Sequence, residues 1–230
     1  MRNRFDQELE NLNNEIIKMG GMIENAIETS VNALVNQDMS LVKKVNELEI
    51  QIDEMEKTIE KHCLKLLLQQ QPVASDLRLI GTALKMITDM ERIGDNAEDI
   101  AEITKMFENK KFIKDIVHIP LMAEITISMV KRSIHAFVNK DKMLALKVCI
   151  DDDIVDDLFV TVKTELIEMI RKDSNNGEQA IDLIMIAKYF ERIGDHAQNI
   201  AEWVIFSITG EHKNTDNIGK TNEADIFCEE

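Results

Sequence analysis

Apolar residues recur along the first part of the chain at helical spacing. Leu9, Leu12, Ile16, Met19, Ile23, Ala26, Ile27 and Leu34 mark one face of a long amphipathic helix over roughly residues 5–36. Asn36-Gln37-Asp38 reads as a turn, with Asp38 a good cap for a second helix that runs to about Gln70. Pro72 breaks that helix and suits the entry to a third, from about Ser75 to Phe107. Asn109 to Lys114 is a link, after which the plan repeats at about 117–139, 141–172 and 178–209, with Asp173-Ser-Asn-Asn-Gly177 in place of the Pro72 turn. No stretch alternates as a strand does. Helices this long depend on mutual packing, so the pattern predicts an all-α fold of two tandem three-helix bundles, residues 1–108 and 115–210. The remainder, 211–230, is polar and aperiodic and is expected to be disordered.

The two units are copies. Glu91-Arg-Ile-Gly-Asp95-Asn-Ala-Glu-Asp-Ile-Ala-Glu102 returns 100 positions later as Glu191-Arg-Ile-Gly-Asp195-His-Ala-Gln-Asn-Ile-Ala-Glu202, identical at nine of twelve positions. Earlier in each unit, residues 33–45 match 136–148 at an offset of 103, with seven of thirteen identical. Internal repetition on this scale is the main organisational fact.

What the repeat keeps is informative. Gly94 and Gly194 stand inside helices, where glycine costs about 1 kcal/mol relative to alanine. Their recurrence implies close approach of a backbone, side chain or ligand, and packing of a neighbouring helix explains it as well as a ligand does. Glu91 and Asp95 are four apart and project from one helical face, about one 5.4 Å turn along the axis. Glu91 also lies in register with the apolar seam of Ile80, Leu84 and Ile87. A carboxylate on a seam is costly unless something positive compensates. Arg92 could do so, though it points about 100° away; a bound cation would do it better.

A second pair sharpens this reading. Glu49 and Asp53 on the second helix correspond to Asp152 and Asp156 at the offset of 103. Each unit thus carries two acidic pairs on two helices: Glu49/Asp53 with Glu91/Asp95, and Asp152/Asp156 with Glu191/Asp195. Convergence of antiparallel neighbours would make hard-oxygen sites for magnesium, calcium, manganese or oxidised iron, to which Asp99 and Asn199 are possible additions. Solvated charges on a repeated packing face are the plain alternative. Asn96 occupies the place of His196 in the first copy, which argues against a shared ligand role. His62, His118, His135 and His212 form no cluster, Trp203 reads as a bundle anchor, and most methionines read as core.

Composition narrows the classes. Asp and Glu number 43 against 27 Lys and Arg, a formal charge of -16. A field of that sign repels phosphate backbones and so disfavours direct nucleic-acid binding and a polybasic membrane mode, while it suits cations or a basic protein partner. Cys63, Cys149 and Cys228 are far apart and read as reduced thiols. With no apolar leader at the N-terminus and no membrane-length apolar run, the expected location is the cytoplasm. There is no Glu-x-x-His, phosphate loop or nucleophile elbow, so an enzyme is not expected. A carboxylate-metal storage protein or metal-dependent enzyme is the alternative use of the same residues.

Together with Met19-Gly-Gly-Met22 and Gln71-Pro-Val-Ala-Ser-Asp-Leu-Arg78, the two Glu-Arg-Ile-Gly-Asp strings resemble the PhoU family of phosphate-uptake regulators. The resemblance extends in order and spacing to about Gly210. It implies two tandem three-helix bundles with metal ions or multinuclear clusters, often iron or zinc, on each. The acidic motifs carried over are Glu49/Asp53, Glu91/Asp95, Asp152/Asp156 and Glu191/Asp195. It further implies a negative regulator of the phosphate regulon, often dimeric. Its partners would be the phosphate ABC transporter and its sensor histidine kinase, engaged by binding rather than turnover.

Overall fold

The computed structural model describes residues 2–70, 73–113 and 117–211. Pro72, Lys114 and the tail from His212 onward, with Cys228, lie outside the described residues, and so do the expectations attached to them. Six long helices follow in order: α1 Arg2–Asn36, α2 Met39–Gln70, α3 Ala74–Thr104, α4 His118–Asn139, α5 Lys142–Lys172 and α6 Gly177–Thr209. The apolar period placed these within a few residues. The third is shorter than its pattern, because the chain tightens into a 3₁₀ turn at Lys105–Phe107; such tightening is common at helix ends.

The repeat is visible in local chemistry. At the first turn of each unit, Gln37 and Lys140 adopt left-handed backbone, with φ of 52° and 54°. The aspartate that follows caps the next helix. Asp38 Oδ1 accepts from Ser40 N at 2.8 Å, and Asp141 Oδ1 accepts from Leu144 N at 2.9 Å. Both carboxylates satisfy amides that the helix start leaves unpaired. Ser30 and its counterpart Ser133 are both fully buried and return their hydroxyls to the carbonyls of Ile27 and Val130.

Helices α1–α3 pack on one another as one bundle and α4–α6 as the other, while α3 lies against α6 and α1 against α4. One continuous apolar core runs through both bundles. Its largest fully buried side chains are Phe107, Phe137 and Phe190 among leucines, isoleucines and Met19. The link is gripped from both sides. Gln37 Nε2 donates to Lys110 O at 2.7 Å, and Gln179 accepts from Ile113 N at 2.5 Å and donates to Lys111 O at 3.2 Å.

The α1–α4 seam depends on Gly20. A Cβ built there would lie 2.4 Å from Ile134 Cδ1, whereas the neighbouring Gly21 has open space. Gly20→Leu is therefore expected to lower stability by about 1–3 kcal/mol through overpacking. Gly21→Ala is expected to raise it by up to ~1 kcal/mol through helix propensity. Denaturant melts of the two variants check the contrast.

Candidate metal centres

Each acidic pair sits where two neighbouring helices approach closely. In the first bundle a Cβ on Gly94 would lie 3.2 Å from the side chain of Ile52 on α2. In the second, a Cβ on Gly194 would lie 2.9 Å from Asp152 Oδ1 and 3.5 Å from Val155 Cγ1 on α5. Val155 is the repeat equivalent of Ile52. The helix-interior glycines thus admit a branched side chain of the next helix, and this contact sets α2 on α3 and α5 on α6 in the same register. Glu91 and Asp95, one turn apart around Gly94, consequently face Glu49 and Asp53; Glu191 and Asp195 face Asp152 and Asp156.

The electrostatics report this gathering. Burial raises the carboxyl of Glu49, and the neighbouring Glu98, Asp53 and Asp95 add to it. Burial likewise raises Glu91, with Asp95, Glu56 and Asp53 adding and Arg92 opposing. In the second bundle burial raises Asp195, helped by Glu191 and Asp156 and opposed by Lys188 and His196. Asp156 is raised by burial and by Glu191. Asp152 is the extreme case. It is 7% exposed, its Oδ1 is buried without a hydrogen-bond partner, and burial with Asp195 and Asp156 pushes its carboxyl up to about 7.

Side-chain cations moderate the charge. Arg92, expected to point away from the seam, bends its long side chain back. Its Nε lies 3.5 Å from Glu91 and its Nη1 3.0 Å from Asp95. Lys57 pairs with Asp53 at 2.6 Å. In the second bundle Lys188 pairs with Glu191, while Arg192 lies over the Tyr189 ring, 6.0 Å from its centroid.

The sequence reading passed over Glu56 and Glu98. Both are raised by burial and by neighbouring acids. They continue the acidic stripe at helical spacing: Glu49, Asp53, Glu56 and Glu60 on α2, and Glu91, Asp95, Glu98 and Glu102 on α3.

Asp99 and Asn199 sit at the seam with the opposite bundle. Asp99 lies beside the Tyr189 hydroxyl, which burial and the neighbouring carboxylate hold above its ordinary value, and Asn199 Nδ2 donates to Asp89 Oδ1 at 3.3 Å. His196 joins that second contact, with Nδ1 2.9 Å from the same Asp89 oxygen. Trp203 packs beside it against the core, edge-on to Phe206 at 5.9 Å. His62 lies apart, between Glu15 at 2.8 Å and Glu8 at 3.1 Å. Cys63 and Cys149 are buried free thiols, pushed up to about 12 by burial.

The carboxylates fit a hard cation by donor type, and the orphaned oxygen of Asp152 is a group that such an ion would satisfy. Among the described residues no three His, Cys, Asp or Glu side chains are yet drawn to a single point. Coordination would therefore require side-chain rotation on fixed helices.

The comparisons with known proteins bear on this arrangement. The model of the PhoU domain matches residues 16–104 and again 119–204, one match for each bundle. The chain belongs to the PhoU family. A relative from Clostridium acetobutylicum, named phosphate-specific transport system accessory protein PhoU homolog, is 37% identical over 91% of this chain and 96% of its own. The Escherichia coli accessory protein PhoU is 30% identical over 90% of this chain and 86% of its own. The crystal structure of PhoU from Pseudomonas aeruginosa superposes with a TM-score of 0.86 at 36% identity, covering 90% of this chain and all of that one. The PhoU structure from Streptococcus pneumoniae, at 23% identity and a TM-score of 0.84 over 91% and 99% of the two chains, shares the fold. Among the described residues no helix is long and apolar enough to cross a membrane.

The raised acids set a pH dependence. A carboxyl lifted in the folded state is neutral, and harmless, below its ordinary range near ~4. Its destabilising charge appears as pH rises from there through the folded value, here about 7 for Asp152. Stability then falls by roughly 1.4 kcal/mol per pH unit across that window. Chelator-treated protein is expected to melt higher at pH 5 than at pH 8, and Asp152→Asn to shrink the difference.

Proposed function

We propose that the chain is a negative regulator of high-affinity phosphate uptake and of the phosphate regulon. It acts as a metal-binding adaptor between the phosphate ABC transporter and its sensor histidine kinase. The observation that carries this reading is the end-to-end similarity, across both bundles, to proteins named as accessory to phosphate-specific transport. An acidic helical scaffold with two buried-edge carboxylate sites is suited to docking rather than turnover, and the relatives' names describe an accessory protein and no reaction. We read the working form as a cytoplasmic homodimer, by the same family likeness.

Glu49, Asp53, Glu91 and Asp95 would hold metal in the first bundle, and Asp152, Asp156, Glu191 and Asp195 in the second. The oxygen donors favour magnesium, manganese or iron, and zinc also accepts carboxylates. A bound ion supplies positive charge at the two seams, which lets the carboxylates stay ionised while partly buried. The chain's own part is to present donors from two helices at a separation fixed by Gly94 and Gly194.

Deletion of the gene is expected to raise alkaline phosphatase and phosphate uptake in phosphate-replete cells; unchanged repression overturns the regulatory reading. Elemental analysis of protein purified without chelators is expected to find transition metal. That metal should be lost when Glu91, Asp95, Glu191 and Asp195 become amides. A wild type that is metal-free and takes up no added metal overturns the metal reading.

A further inference from the structure

The two acidic seams are copies in position but not in chemistry. Beyond the four shared carboxylates, the first bundle adds Glu98 at one end and Glu56 at the other. The repeat equivalents in the second bundle are Gln198 and Phe159. The second seam is therefore closed at both ends, by a neutral amide and by a ring over which Lys188 Nζ lies 5.4 Å from the centroid. The first seam is an open strip whose inner six carboxylates are Glu49, Asp53, Glu56, Glu91, Asp95 and Glu98. Seven residues separate Glu91 from Glu98 on α3, a rise of about 10 Å, which exceeds the ~4 Å between ions in two-metal sites.

The innermost ligand differs too. Asp152 replaces Glu49, one methylene shorter and 7% exposed, with an oxygen seated against Gly194 and satisfied by no hydrogen bond. Glu49 is half-buried, and the apolar Ile52 fills the space against Gly94. Internal counter-charge differs in the opposite sense. Arg92 and Lys57 already engage Glu91, Asp95 and Asp53 in the first bundle. Among the described residues only Lys188 forms an ion pair with the second set, through Glu191.

A cation entering the first seam must displace two side-chain cations from partly solvated carboxylates, where each exchange gains little. One entering the second relieves a buried carboxylate oxygen that has no hydrogen bond, in surroundings that weaken charge less than water does. We propose that the two seams fill in order. A compact site anchored by Asp152 takes up a divalent cation first, and the strip from Glu98 to Glu56 follows with lower affinity and room for more than one ion. This ordering rests on the metal-binding reading above.

Titration of full-length, chelator-treated protein with Mn²⁺ alone, with free Mn²⁺ read by its electron paramagnetic resonance signal, tests it. The wild type is expected to show a tight class of about one ion and a weaker class separated by at least about tenfold in Kd. Asp152→Asn should abolish the tight class. Asp156→Asn, at an exposed position whose substitution does not threaten folding, should weaken it by about tenfold or more. Glu98→Gln with Glu56→Gln should diminish the weak class only. A single class of equivalent sites, or a tight class that persists in Asp156→Asn and in folded Asp152→Asn, overturns the ordering while leaving metal binding intact. A wild type that binds no Mn²⁺ overturns the metal reading, and the ordering with it.

Discussion

Where α2 meets α3 and α5 meets α6, the approach of the helices is governed by a glycine that receives a side chain from its neighbour. Ile52 occupies that place against Gly94, and Val155 with Asp152 against Gly194. The contact does more than pack a core. Because glycine lies between two acids one turn apart, bringing a neighbour onto it also carries that neighbour's acids into the same seam. Helix propensity is sacrificed twice so that like charges can be brought together, and the surrounding apolar core supplies the stability that makes this tolerable.

The bundles are joined by a reciprocal exchange of polar groups. Asp89 of the first reaches His196 and Asn199 of the second. At the repeat-related place, Tyr189 of the second reaches Asp99 of the first. The repeat diverges here for a physical reason. Two aspartates facing each other across a semi-buried seam would repel, so one copy pairs an acid with an imidazole and an amide, and the other pairs a phenol with an acid. Two of the three differences within the duplicated string, Asn96 against His196 and Asp99 against Asn199, lie at these contacts across the interface.

Much of this was legible in the linear sequence. The apolar period located six helices, the repeat divided them into bundles, and glycine between two acids pointed to the seam. The four-residue spacing found only part of the acidic stripe. Carrying the period on to i+7 leads from Glu49 to Glu56 and from Glu91 to Glu98. Other features depend on tertiary packing. In the run Asp151-Asp152-Asp153 the repeat offset singles out Asp152 as the counterpart of Glu49, but that it is buried where Glu49 is only half-buried follows from the docking of α5 on Gly194. That Arg92 reaches both Glu91 and Asp95 was open in the sequence, because a Cβ direction says little about where a long flexible side chain ends. The seam roles of Asp99 and Asn199 follow from how the two copies dock, which no pattern within one copy contains.

The apolar core does not stop at the boundary between the copies. Phe107, Phe137 and Phe190 belong to one packed body, and the link between the halves is held from both sides by Gln37 and Gln179. Opening one half exposes apolar surface of the other, which couples their stabilities. Whatever binds the native form at one seam therefore raises the free energy of opening the whole molecule, including the opposite seam that it never touches. The duplication produced two acidic seams but one packed body, so that anything held at one side would be registered as rigidity on the other.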